Sequence, residues 1–241
     1  MANARWLQSR REEAWADGRE LRDHLLRQYQ ARYSPEVLPP PALIVRELLS
    51  DIIGVRLFFD PMPLDRFAEI RMVEGRPRVT VNADIAQMEG VKDAEGVANV
   101  AMWHEVMHVE RDAPDLVAPA SAVLDGFEQP PDIVCYRSPN PSLRADAAAR
   151  EFWAEEAGRA AAVSFEALRR TEAFVELISL AGRNRGHVRS AWPLLYRAAE
   201  AIGVNGSALV KQLTFEGMIA VEGRGTGSQV FLQAPLLELG S

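Results

Sequence analysis

His104, Glu105 and His108 form the pattern H-E-x-x-H within the stretch VANVAMWHEVMHVE at residues 97–110. On a helix, residues four apart project from one face a turn apart, so both imidazoles can reach one zinc ion at roughly 2.0–2.1 Å. Glu105 sits on the adjacent edge of that face, where a carboxylate can take the proton from a metal-bound water. Between Val97 and Met107 the only charged residue is Glu105, which marks a largely buried helix. Two histidines and a carboxylate inside such a helix need partners, and a metal would satisfy them.

A catalytic zinc takes three protein ligands and a water. The metzincin extension is excluded, because Arg111 and Pro114 stand where its glycine and third histidine belong. A deformylase-like site expects a cysteine upstream of the motif, whereas the only cysteine, Cys135, lies downstream. That leaves a carboxylate on a second helix. Residues 142–162, SLRADAAAREFWAEEAGRAAA, have strong helix propensity and carry Asp146, Glu151, Glu155 and Glu156. Glu151 and Glu155 share a face, so one can bind the metal while the other accepts the free N–H of a ligand histidine. Glu151 is taken as the third ligand, with Glu155 as the alternative ligand or histidine partner. Phe152, Trp153 and the alanine run argue that this helix packs closely, against a solvated face of Glu with Arg150 and Arg159.

The elements that must position these groups follow from patterning. Residues 3–32 read as one long helix with Trp6, Trp15, Leu21, Leu25 and Leu26 as its apolar stripe and His24 as a surface side chain. Residues 42–53 read as a second amphipathic helix closed by Gly54. Residues 55–59, 67–73 and 78–82 read as short strands, the last two joined across Glu74-Gly75-Arg76-Pro77, giving a small mixed or antiparallel sheet before the metal helix. An edge strand of such a sheet is where zinc peptidases often pair with substrate backbone. Asp93 to Glu95 is placed to cap the metal helix. Residues 111–141, with six prolines, read as a functional loop roofing the cleft. Cys135 within it is read as a small apolar residue of a buried strand, ahead of an inhibitory fourth ligand.

These residues resemble the ImmA/IrrE metallo-endopeptidase family. Glu151-Phe152-Trp153-Ala154-Glu155 is similar to that family's E-x-E-A-N-x-F-A helix at its first Glu and its Ala, and residues 78–82 and 97–101 look like its lead into the metal helix. The likeness covers roughly residues 40–165. Glu155 departs from the family's Asn or Asp, Ala157-Gly158 from its Phe-Ala, and Glu110 from the apolar residue usual in zinc-peptidase signatures. The resemblance implies cleavage of a protein substrate, a helix-turn-helix repressor, that switches on phage, mobile-element or stress-response genes.

Residues 165–181 read as a further amphipathic helix. Residues 191–202, the turn Gly203-Val204-Asn205 and residues 207–215 read as helix, turn, helix, followed by a glycine-rich hairpin over 221–232. That is a winged-helix outline, and Arg183, Arg185, His187, Arg189, Lys211 and Arg224 add positive charge, so direct DNA binding through residues 183–241 is one expectation. The other is that the module packs on the core or grips a protein; His187 is not read as a ligand.

The reading is therefore an α+β, zincin-like, mostly helical fold with a small sheet and a winged-helix-like module. Its boundaries are an N-terminal helix at 1–34, a metallopeptidase domain at 35–182 and the C-terminal module at 183–241. Its cofactor is Zn2+, held by His104, His108 and Glu151, with Glu105 as general base and Tyr136 or Tyr196 as oxyanion donors by side-chain type alone. A net charge of −7 argues against a chain-wide nucleic-acid or membrane surface. With 48% hydrophobic residues, one cysteine, no apolar signal region and no membrane span, a cytoplasmic protein is expected. The competing class is a DNA- or repressor-binding regulator with a non-catalytic metal site.

Overall fold

The computed structural model describes residues 2–36, 38–48, 54–73, 76–123, 135–136, 145–183, 187–188, 191–223 and 229–233. Contacts divide the chain into two units, Met1–Ala162 and Val163–Ser241. Both are mixtures of helix and small sheet, so the class is α+β.

The first unit opens with α1 (Ala2–Arg32), the long helix expected. Its buried stripe runs through Ala14, Trp15, Leu21, Leu25 and Tyr29, spacings that keep one face inward. Leu26 is only half-buried and His24 is exposed. The short helix α2 (Pro41–Leu48) follows, burying Ile44, Val45 and Leu48.

Strands β1 (Arg56–Asp60), β2 (Ala68–Val73), β3 (Arg76–Asn82) and β4 (Cys135–Tyr136) form a sheet in the order β1-β3-β2-β4. It is mixed: β1 runs parallel to β3, while β2 is antiparallel to both β3 and β4. The Asn82 side chain organises the β1–β2 connection. Its amide donates to the carbonyls of Met62, Pro63 and Arg66 at 3.3, 3.2 and 2.8 Å, and its oxygen accepts from the Met62 and Asp84 N–H groups. Ala68, Ile70, Val79 and Val81 are fully buried on one face of the sheet, which packs against α3 (Ala94–Val123).

Helix α3 begins where expected, with the Asp93 carboxylate accepting the Gly96 N–H at 2.8 Å. From Val100 to Val109 every residue is buried. Its end corrects the sequence reading: residues 111–123 continue the helix through Pro114 and Pro119 instead of opening the roof loop. A proline removes one helical hydrogen bond and bends the axis, but it does not oblige the helix to end, and no glycine interrupts this run. The rest of the expected loop lies outside the described residues except for β4.

Helix α4 (Ala145–Ala162) packs against both α1 and α3. Small residues allow it: Ala154, Ala157, Ala160, Ala161 and Ala162 are buried. A Cβ on Gly18 of α1 would run into the Ala157 carbonyl, so this helix-interior glycine marks a close backbone crossing. Across the same contact Glu156 accepts from the Trp15 indole N–H at 3.0 Å and pairs with Arg11 and Arg159.

In the second unit, α5 (Phe165–Arg169) and α6 (Glu172–Arg183) replace the single helix expected over 165–181. The break is at Thr171, whose hydroxyl donates to the Leu168 carbonyl and accepts from the Phe174 N–H, capping α6. Helix α6 packs on α7 (Ala191–Ala201), which places residues 163–182 with the C-terminal module rather than with the metal helix. Gly203, at φ +75°, turns the chain into α8 (Gly206–Phe215), capped by Asn205. Strands β5 (His187–Val188), β6 (Ile219–Glu222) and β7 (Gln229–Leu232) form an antiparallel sheet in the order β5-β7-β6, with β6 and β7 as the expected hairpin arms. No helix among the described residues is long and apolar enough to cross a membrane.

Candidate metal centre

Helix α3 carries His104 and His108 one turn apart, and both imidazoles are almost fully buried, at 2% and 1% exposure. Helix α4 brings Glu151 to them. Its two carboxylate oxygens lie 3.3 Å from His104 Nε2 and 3.4 Å from His108 Nε2, and the two Nε2 atoms are 3.2 Å apart. Among the described residues these three form the one group of His, Cys, Asp and Glu side chains able to hold a metal ion.

The separations test whether zinc fits. An ion bonded at about 2.0–2.1 Å in tetrahedral geometry holds its ligand atoms about 3.3–3.4 Å from each other. The two Nε2 atoms stand 3.2 Å apart, and each has a different Glu151 oxygen at 3.3 or 3.4 Å, separations of the size that such an ion requires. Two imidazole nitrogens aimed at each other and at one carboxylate share a cation more readily than they share protons. The donor set, two nitrogens and a carboxylate oxygen, suits zinc.

Burial pushes the Glu151 carboxyl up, but hydrogen bonds and charge from His104 and His108 outweigh it and hold the group down at about 2. Glu151 is therefore a carboxylate throughout the range in which imidazoles titrate. Glu105, the residue after His104 on the same helix, is completely buried.

The structure brings together His104, His108 and Glu151. Glu155 is not part of that group; its side chain is 44% exposed and lies 3.4 Å from Arg159. Glu156 turns the other way, into the buried brace against α1. Tyr196 belongs to the second unit, where it stacks on Trp192 and covers Gly206. The side chains of Cys135, Tyr136 and His187, and Arg185, Arg189 and Arg224 of the basic set, lie outside the described residues. Backbone pairing of Cys135 with Ile70 does place it in a short strand.

Sequence reasoning missed Gly158. A Cβ there would come within 2.8 Å of both Cα and N of His104, so α3 and α4 touch backbone to backbone at His104. The spacing of Ala154, Ala157, Gly158 and Ala161 was the signal for it. A cleft of about 1010 Å³ between α1, α3 and Trp153, bordered by Glu13, Asp17, Glu20 and Glu110, includes none of the three ligands.

A scan of protein-family models finds no match to this chain, and searches of curated proteins and of solved structures find none either.

Proposed function

We propose that the protein is a zinc-dependent endopeptidase of the ImmA/IrrE type with a zincin-like catalytic unit. The observation that carries this reading is the convergence of the His104 and His108 Nε2 atoms and the Glu151 carboxylate within 3.2–3.4 Å, with Glu105, next to His104 in sequence, completely buried. A zinc ion held by those three side chains would supply Lewis acidity, polarising a peptide carbonyl and acidifying water to a pKa near 7. Glu105 then takes the proton of the attacking water and returns it to the leaving amine. Its burial keeps that carboxylate out of bulk solvent and in one place, as a proton shuttle requires. His104 and His108, on consecutive turns of a rigid buried helix, orient the site, and Glu151 balances its charge. A purely structural metal needs no base beside its ligands, so Glu105 favours catalysis.

The substrate class rests on the resemblance: a helix-turn-helix repressor whose cleavage relieves repression of phage, mobile-element or stress-response genes. The location that fits this role is the cytoplasm.

A second reading is supported by the C-terminal unit. The order α6-β5-α7-α8-β6-β7 resembles a winged-helix outline, in which α8 would take the recognition position. Such a module would make the protein a DNA- or repressor-binding regulator whose metal site is non-catalytic. Residues 163–241 hold eight basic against seven acidic residues, a weak charge for phosphate binding, which places this reading second.

The deciding experiment compares wild type with Glu105→Gln after zinc loading. New protein N-termini are read by mass spectrometry in a lysate of the source cells. Cleavages made by wild type and not by Glu105→Gln are expected, with zinc bound equally to both. Equal profiles with a loaded site would refute the peptidase reading and favour the regulator.

A further inference from the structure

We infer that Gly158 is a positioning residue for the metal site, and that the α3–α4 contact it permits sets the ligand spacing before any metal arrives. The inference rests on the metal-site reading above and deepens it. Glu151 and Gly158 lie on the same helix two turns apart, so the depth at which α4 seats on α3 governs how far the Glu151 carboxylate stands from the two imidazoles. That depth is limited at Gly158. An added Cβ would stand 2.8 Å from His104 Cα and N and 3.1 Å from the Trp103 carbonyl carbon. All three are backbone atoms inside a helix, so no side-chain rotation relieves the contact.

Helix α4 cannot retreat either. Residues 156–162 are buried around the whole circumference, and on the α1 side Gly18 meets the Ala157 carbonyl with no room for a Cβ. Arg22 of α1 also donates to the Ala160 carbonyl at 3.3 Å, and Trp153 donates to Asp17 at 3.0 Å. The end of α4 is thus held from both sides by glycines, Gly18 on α1 and its own Gly158 against α3. Ordinary carbon contacts begin near 3.5 Å, so a methyl at 158 forces a shift of roughly 0.7 Å. Metal sites tolerate errors of only about 0.2 Å in ligand distance, so a displacement of this size takes Glu151 out of reach of a shared tetrahedral ion.

The test measures zinc affinity by competition with a chromophoric chelator, and the visible band of bound cobalt(II), in Gly158→Ala beside Gly182→Ala. Gly182 is a helical glycine with nothing within 4 Å of an added Cβ, so it controls for the change of residue type. Gly158→Ala is expected to bind zinc at least about tenfold more weakly and to lose the tetrahedral cobalt band, while Gly182→Ala matches wild type. Folded Gly158→Ala with wild-type affinity and spectrum would overturn the inference. Should Gly158→Ala not fold, hydrogen exchange of the metal-free wild type decides. Amides of α3 and α4 protected equally with and without zinc uphold a preformed site, whereas protection that appears only with zinc overturns it. Wild type that takes up no zinc removes the metal site itself, and that result is distinct from a loaded wild type that fails to cleave.

Discussion

Replacing Glu151 with Gln is the sharpest test of the ligand set. The substitution keeps the size and shape of the side chain, so α4 should seat as before and no cavity opens. What changes is the charge 3.3 and 3.4 Å from the two imidazoles. Zinc sites of four ligands bind with roughly 10–16 kcal/mol, so one ligand accounts for about 3 kcal/mol. An amide oxygen retains part of that as a neutral donor, leaving a loss of about 2–3 kcal/mol, or a 30- to 150-fold weaker zinc affinity at neutral pH. The assay is chelator competition with circular dichroism to verify the fold, run beside Glu155→Gln. Glu155 lies outside the convergent group, so its variant should hold zinc within about tenfold of wild type. Unchanged affinity in Glu151→Gln, or the larger loss in Glu155→Gln, would refute the three-residue group as the metal site and put the ligand one turn further along α4.

Three further outcomes follow from the same structure. Glu156→Ala leaves the buried Arg159 guanidinium, 3% exposed, without its main counter-charge and strips the Trp15 indole of its acceptor; a loss of about 3 kcal/mol in urea unfolding is expected, and less than 1 would show that α1 is held by apolar contact alone. Asn82→Ala removes five side-chain hydrogen bonds to residues 62, 63, 66 and 84, and should cost about 2 kcal/mol with faster proteolysis of that loop; resistance equal to wild type would show the loop holds itself. Metal ligands bind unprotonated, so falling pH favours the metal-free form, and Glu151, held at about 2, stays a carboxylate through most of that range. Zinc release, with protons taken up, should be complete well above the pH at which Glu151 protonates, and release only near pH 2 would assign it to the carboxylate instead.

Much of this was legible locally. The H-E-x-x-H spacing needs only helix geometry to put two imidazoles on one face, and the absence of charge around it already marked a buried helix. The hairpin of β2 and β3, the Asp93 cap and the helix–turn–helix order of α7 and α8 likewise depend on nearest neighbours in sequence. Where local rules misled, a propensity had been taken as an instruction: Pro114 and Pro119 lie within α3 without ending it, and Thr171 splits a helix that apolar spacing runs together.

By itself the sequence determined which residues are able to do chemistry, because ligand type and i, i+4 spacing are properties of a single helix. Only the tertiary structure decided between Glu151 and its neighbours. Glu151, Glu155 and Glu156 differ by the angle at which each leaves α4, and that angle has meaning only once α1 and α3 are in place. Packing turned Glu156 into a brace, left Glu155 half in solvent, and brought Glu151 to the histidines from 43 positions beyond His108. The physical reason is that side-chain direction is fixed within a helix, while the distance between helices is set by what fits between them, here the missing Cβ atoms of Gly18 and Gly158.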